Sequence, residues 1–142
     1  MPVLLDTDHL TIMQQRIQPE RDRLRARLDQ LAPDDVGTTI VSYQEQMQGW
    51  LAYLSRARTA DQIVHAYAEL DAMRRSFSKM NVIPHTAEAQ ELFAEFRRQR
   101  IRIATLDLRI ACIAIASDYT LLSRNLRDFG QIPGLKVDDW TA

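Results

Sequence analysis

The sequence predicts an α/β domain in which a short, mainly parallel sheet lies between two layers of helices. Two observations carry this. Short apolar or β-branched runs alternate with segments of helical period along the whole chain, the pattern of strands joined by right-handed helical crossovers. One helical segment, residues 108–116, is apolar on every side except Arg109, so it belongs at the centre of a domain rather than on its surface. At 142 residues the chain makes one domain, residues 1–142, large enough to bury a core.

In chain order, Val3-Leu4-Leu5 is a buried strand that stops at Asp6-Thr7-Asp8, a polar mouth. Residues 9–15 resume as helix, and Pro19-Glu20 opens a second one to about Leu31, with Leu24, Leu28 and Leu31 on one side. After the turn Pro33-Asp34-Asp35, residues 36–41 form a second strand, weakened at Gly37. Ser42 then stands as a helix N-cap with Glu45 three residues on, a capping box. In the helix that follows, Tyr43, Met47, Trp50, Leu51 and Leu54 share a stripe. Residues 61–80 form its hairpin partner across residues 55–60, with Ile63, Ala66, Tyr67, Leu70 and Met73 in register. A short strand at residues 81–84 leads to Thr86, the cap of a helix over residues 87–100. The apolar helix comes next, then a strand at residues 120–123 and the polar turn from Arg124 to Asp128, closed by Phe129. Ile132-Pro133-Gly134 turns the chain into an edge strand at residues 135–137.

Hydrophobic residues make up 46% and charged residues 26% of the chain, the composition of a soluble globular domain. A formal net charge of −1 supplies no global basic field toward nucleic acid. Arginine nevertheless outnumbers lysine and comes in runs, including Arg21, Arg23, Arg25 and Arg27, and Arg97, Arg98, Arg100 and Arg102. Guanidinium groups suit phosphate or carboxylate, and solvated helix faces are the structural alternative. Cys112 stands alone inside the apolar helix, which excludes an intramolecular disulfide and makes it a small core residue. No signal peptide and no membrane-length apolar span is visible, so the expected compartment is the cytoplasm.

The acids carry the chemical signal. Asp6 ends the first strand, Glu45 lies early in the helix after the second, and Asp107 heads the apolar helix. In a parallel sheet those places fall at one edge, the carboxyl ends of the strands, where open α/β sheets bind ligands. A fourth polar cluster, Ser123 to Asp128, follows the strand that begins at Thr120. Carboxylates gathered in one cleft repel, which implies a cation or a raised pKa. Oxygen ligands without a Cys or His set favour Mg²⁺ or Mn²⁺ over zinc. Ions of that kind activate water and hold a phosphodiester for in-line attack. Each acid also has a structural explanation: a capping box for Glu45, the helix dipole for Asp107, and a cap for Asp6.

Leu4-Leu5-Asp6-Thr7, Ser42-x-x-Glu45 and Asp107-x-x-Ile110-Ala111, with the ending Leu121-Leu122-Ser123-Arg124-Asn125-x-x-Asp128-Phe129, resemble the PIN domain. Ile132-Pro133-Gly134-Leu135 and Asp139-Trp140 extend the likeness, and the whole pattern is similar to the VapC toxins of bacterial type II toxin–antitoxin pairs. The resemblance implies a three-layer α/β/α sandwich that cleaves RNA with Mg²⁺ or Mn²⁺ held by Asp6, Glu45 and Asp107. It also implies a homodimer and an antitoxin whose tail closes the acidic cleft. The fourth acidic position stays open between Asn125, which has no charge, and Asp128. Ser123 stands where the family often has Thr. Asp8 stands where Asn is common, either strengthening the metal site or sitting in solvent. Arg109 and Arg124 are the candidate RNA contacts nearest in sequence, unless each pairs with a neighbouring acid. His9, His65 and His85 read as structural, leaving a carboxylate to take the proton from the attacking water.

Two other readings compete with the nuclease. A non-catalytic PIN-like module that binds RNA or protein is favoured by Asn125. A receiver-like phosphorylatable domain would need Lys136 beside its acids.

Overall fold

A computed structural model describes all residues, Met1–Ala142. Five strands, β1 (Val3–Leu5), β2 (Val36–Thr39), β3 (Asn81–Ile83), β4 (Thr120–Leu122) and β5 (Val137–Asp138), form one sheet in the order β3-β2-β1-β4-β5. Every pairing is parallel. The helices are α1 (Thr7–Gln15), α2 (Glu20–Leu28), α3 (Ile40–Arg56), α4 (Ala60–Ser78), α5 (Ala87–Arg98), α6 (Thr105–Ala116) and α7 (Leu126–Phe129). The predicted three-layer α/β/α arrangement is therefore present, and the sheet is wholly rather than mainly parallel.

Period-two alternation divides the core. Leu4 and Leu121 face a cluster built on α6, with Leu108, Ile110, Ala111, Cys112 and Ile113 joined by Phe96 of α5 and by Phe129. Val3, Leu5 and Leu122 face the opposite layer, where Leu10 and Ile12 of α1, Leu24 and Leu28 of α2, and Met73 and Phe77 of α4 pack with Trp140. Successive strand residues point to opposite faces, so each three-residue strand serves both cores. The central strand β1 is apolar throughout because neither face meets water.

The strand order places a topological switch. From β1 the chain builds outward through β2 to β3, then returns to lay β4 and β5 on the other side. In register, Leu5 pairs with Thr38 on one side and Leu122 on the other. The residues that follow, Asp6 and Ser123, therefore leave adjacent strands at the same edge.

Several sequence boundaries move. The second strand ends at Thr39, not Val41, and the cap of α3 is Thr39, whose hydroxyl accepts from the Ser42 amide at 3.1 Å. A short polar side chain that can bind the backbone three residues on starts a helix inside a β-branched run. Ser42 is thus inside the helix, and Glu45 is not the partner of a capping box. α2 stops at Leu28, short of Leu31, and the last strand is Val137–Asp138 rather than residues 135–137. In the α3–α4 hairpin the stripes are narrower than predicted: Leu51, Ile63 and Tyr67 are exposed. The 17-residue α3 runs about 25 Å at 1.5 Å per residue, whereas a four-residue strand reaches about half that. Only the inner side chains, among them Tyr43, Met47 and Trp50, reach the core.

Gly37 of β2 is fixed by space. A Cβ there would lie 2.7 Å from the Asn81 carbonyl oxygen of β3, a backbone atom that cannot swing aside. Gly37→Ala is expected to cost about 1–3 kcal/mol through overpacking, read as a lower urea midpoint with an unchanged slope.

Candidate metal centre

Asp6 leaves β1 at the first position of the switch and is 6% exposed. It occupies the N-cap position of α1 yet makes no side-chain cap bond, so capping does not account for it. Its carboxylate instead accepts from the Ser123 hydroxyl at 2.8 Å, a bond that joins the ends of β1 and β4. Glu45 lies in the second turn of α3 and accepts from the Thr7 hydroxyl at 2.9 Å. Thr7 Oγ1 in turn lies 3.2 Å from Ser42 Oγ. Asp107 sits in the first turn of α6, the helix whose burial fixes it against the sheet, and Ala104 at that N-cap offers no side-chain bond.

The three acids converge. Asp6, Glu45 and Asp107 each bring a carboxylate oxygen to a position within 4.8 Å of the other two. No Lys, Arg or His side chain pairs with any of them; the ion pairs of the chain lie elsewhere. The carboxyls respond accordingly. Burial, then the neighbouring charge of Asp8 and more weakly of Asp107, pushes Asp6 up to about 7 against the hydrogen bond from Ser123. Burial also raises Glu45, helped by Asp107 and Asp8 and opposed by Thr7. Burial raises Asp107, with the charges of Asp128 and Asp8 adding to it. A set of hard oxygen donors, mutually repelling and without a protein cation, fits a metal cation.

The remaining residues singled out in the sequence divide. Asp8 neither joins the oxygen cluster nor sits in solvent. Its Oδ1 is 2.8 Å from His9 Nδ1, and its Oδ2 accepts from the Arg124 amide at 2.9 Å. Burial alone would raise it, but those hydrogen bonds outweigh burial and lower it. His9 is fully buried, and its Nε2 accepts from the Trp140 amide at 3.2 Å. That places the ring proton on Nδ1, facing Asp8. His9 is structural, as predicted, and ties the C-terminal segment to α1. His65 packs edge-on against Trp50 and Tyr53, and His85 bonds Gln90.

Asn125 and Asp128 act as a pair. Asn125 caps α7: its Oδ1 accepts from the Asp128 amide at 3.3 Å and its Nδ2 donates to Asp128 Oδ2 at 3.1 Å. Asp128 is thereby held half-buried, close enough for its charge to act on Asp107. Arg109 lies over the Phe93 ring at 5.2 Å, in a hollow with Ile40, Met47 and His85, and makes no contact with the acids. Arg124 reaches Asp8 through its backbone, and its exposed side chain makes no ion pair. Lys136 pairs with the exposed Asp118 at 3.0 Å, at the amino-terminal end of β4, so it lies away from the acids and the receiver-like reading fails. The parts played by Thr7 and Thr39 were not read from the sequence; the signal for Thr7 was its place directly after Asp6 in the motif.

The chain matches no family model. It is 38% identical over 64 residues to Ribonuclease VapC1 of Rickettsia felis, covering 42% of this chain and 48% of that protein. It is 33% identical over 67 residues to Ribonuclease VapC2 of the same organism, covering 44% and 50%. The chain thus spans about half the length of the curated relatives it matches. Among solved structures it superposes on VapBC-1 from nontypeable Haemophilus influenzae with a TM-score of 0.75 at 22% identity, over 100% of both chains. VapBC2 from Rickettsia felis, bound to a promoter DNA fragment, gives 0.73 at 21% identity over 99% of each. These likenesses bear out the resemblance read from the motifs, and the fold agrees along the entire chain.

The raised carboxyl of Asp6 has a measurable consequence for stability. Between its ordinary value of 3.8 and about 7, the folded protein holds a proton that the unfolded chain has released. Stability of the metal-free protein therefore falls as pH rises through that window. Asp8, lowered by its partners, acts with the opposite sign and only below the ordinary value. Asp6→Asn is expected to stabilise the protein in EDTA at neutral pH by roughly 1–3 kcal/mol, since one pKa unit is about 1.4 kcal/mol. Urea unfolding of both proteins from about pH 5 to 7.5 tests this; a difference that does not grow with pH contradicts it. Mg²⁺ is expected to stabilise the parent protein and not the variant.

Proposed function

We propose that the chain is a metal-dependent endoribonuclease of the VapC type, the toxin of a toxin–antitoxin pair, acting in the cytoplasm. The observation that carries this is the convergence of Asp6, Glu45 and Asp107 oxygens within 4.8 Å, from three distant parts of the chain, at the switch point of a parallel sheet. The match to proteins named Ribonuclease VapC1 and VapC2 supports RNA as the substrate.

In this reading the three carboxylates hold Mg²⁺ or Mn²⁺. The ion supplies an acidified water and a positive charge for the phosphate oxygens. Ser123 holds the Asp6 carboxylate, and Thr7 holds Glu45, each hydroxyl fixing which oxygen faces the cleft. Asp128, steadied by Asn125, is the fourth acid and the candidate proton acceptor. The hydrogen bonds between the two support Asp128 in that position, with Asn125 orienting a carboxylate instead of replacing one. Asp8 orients the end of β4 through the Arg124 amide rather than joining the ion.

An antitoxin and a homodimer belong to the same reading. A hollow of about 490 Å³ between α1, α3 and α4, lined by Gln14, Gln46, Trp50, Tyr53 and Glu69, supports a seat for a partner segment. Leu51, Ile63, Val64 and Tyr67 are exposed on the hairpin, as for a face covered by another chain. No helix is long and apolar enough to cross a membrane.

Asp107→Asn is expected to lower Mg²⁺- or Mn²⁺-dependent cleavage of RNA by at least about 100-fold, and Thr7→Val by about 10-fold, the usual effect of losing a group that orients a ligand. Gel-based cleavage assays with EDTA controls, beside thermal melts that verify folding, provide the check. Undiminished cleavage in Asp107→Asn and Asp6→Ala rules out the site. RNA binding without any cleavage would favour the module that binds and does not cut.

A further inference from the structure

The run Arg97, Arg98, Arg100 and Arg102 is not a uniformly solvated face. Arg98 pairs with Glu95 on α5. The other three line a single open groove of about 610 Å³ with Ile101, Ile103, Ala104 and Asp128. The arginines that pair with carboxylates in this chain are Arg25, Arg27, Arg74, Arg75 and Arg98, so the guanidiniums of Arg97, Arg100 and Arg102 are uncompensated.

Local structure gathers them. α5 ends in a Schellman turn: the Ile101 amide donates to the Phe96 carbonyl at 3.1 Å and the Arg100 amide to that of Arg97 at 3.1 Å. Ile101 packs beside the buried Phe96, closing the motif. Arg100 takes the left-handed position, φ 59, where glycine is usual. The reversal brings Arg100 and Arg102 back to the rim that carries Arg97. Arg97 itself donates to the Thr105 hydroxyl at 2.6 Å and lies 5.1 Å over the Phe93 ring. It is thereby fixed at the first residue of α6, two positions before Asp107.

The groove and the metal centre share a wall. Asp128 lines the groove, and its charge is felt by Asp107. A cleft of carboxylates repels a polyanion, and a chain of net charge −1 provides no general attraction. An uncompensated basic rim, anchored at Arg97 and bordered by Asp128, supplies a local one.

We infer that the α5–α6 groove, through Arg97, Arg100 and Arg102, binds the phosphates of the single RNA strand that flank the phosphate at the acidic centre. The identity of the ligand as RNA rests on the nuclease reading; the existence of a polyanion subsite does not. Guanidinium pairs with phosphate oxygens bidentately, and each phosphate contact releases counterions.

The test is binding of a fluorescein-labelled, mixed-sequence single-stranded oligoribonucleotide by anisotropy across a salt series, in the Asp107→Asn background so that the strand stays whole. Arg100→Gln with Arg102→Gln is expected to weaken binding at low salt by tenfold or more. It should reduce the slope of log affinity against log salt by about 1.4, at ~0.7 per contact on single strands. Arg102→Lys should keep the slope, and Arg98→Gln, whose side chain is paired outside the groove, should not change it. A slope that is the same with and without the two arginines overturns the assignment. So does a double variant that binds RNA normally and fails only to bind an acidic antitoxin segment. A parent protein that shows the slope change and yet cleaves nothing with Mg²⁺ or Mn²⁺ supports the groove and removes the nuclease reading alone.

Discussion

Three carboxylate oxygens within 4.8 Å of one another set the condition the rest of the site must meet. At an effective dielectric of about 20, each fully ionised pair at that range repels by roughly 3 kcal/mol. Three such pairs would consume most of the stability of an ordinary domain. A hydrogen bond contributes about 1 kcal/mol net, so the hydroxyls of Ser123 and Thr7 orient the acids without neutralising them. In the metal-free molecule burial first, and then the charges of neighbouring acids, raise the carboxyls of Asp6, Glu45 and Asp107 above their ordinary values. A divalent cation answers the same condition at neutral pH. The fold is what makes the repulsion unavoidable: α6 is buried on nearly every side, and Asp6 is fixed between β1 and α1 with only 6% of its surface exposed.

Where the acids stand follows from topology more than from local preference. β1 is the one strand flanked by strands the chain adds in different directions, which leaves a crevice beyond its carboxyl end. Asp6 fills that position, Ser123 the equivalent one on β4, and the two are joined by a 2.8 Å hydrogen bond. The capping alternatives dissolve on the same geometry. Asp6 makes no cap bond and Thr39 caps α3 in place of Ser42, whereas Asp107 does stand in the first turn of α6, where the helix dipole favours an acid.

Much of this was legible in the residues, for a physical reason. The alternation of short apolar strands with amphipathic helices determines a parallel sheet, and an all-apolar helix must be central. Together these place Asp6, Glu45 and Asp107 at one edge before any distance is known. What escaped were features decided by competition between near-equal local options. Thr39 and Ser42 are both good caps three residues apart, and only the register of β2 against β1 selects Thr39. Leu51, Ile63 and Tyr67 have the spacing of a buried stripe, but the hairpin is longer than the sheet it covers. Asp8 carries a charge that sequence alone assigns to the metal or to water. Its actual partners, His9 and the Arg124 amide, come from a fully buried imidazole and a residue 116 positions away.

The near-neutral total charge conceals a division of labour between surfaces. Arginines of α2 are engaged with the chain itself: Arg25 with Asp29, Arg27 with Asp138 and over the Trp140 ring, Arg23 with the Thr141 carbonyl. Those of α4 are paired with Asp71. The α5–α6 turn differs, because only Arg98 finds an acid there. Under the proposed nuclease reading a cleft of carboxylates must attract its phosphodiester by some other means, because a net charge of −1 supplies no long-range attraction. The unpaired guanidiniums of Arg97, Arg100 and Arg102, around a groove that Asp128 also lines, would supply that attraction locally, where salt screens charges least. In the proposed nuclease reading the basic rim would align the strand, and the acids, with the divalent ion they would hold, would supply positive charge to one phosphate.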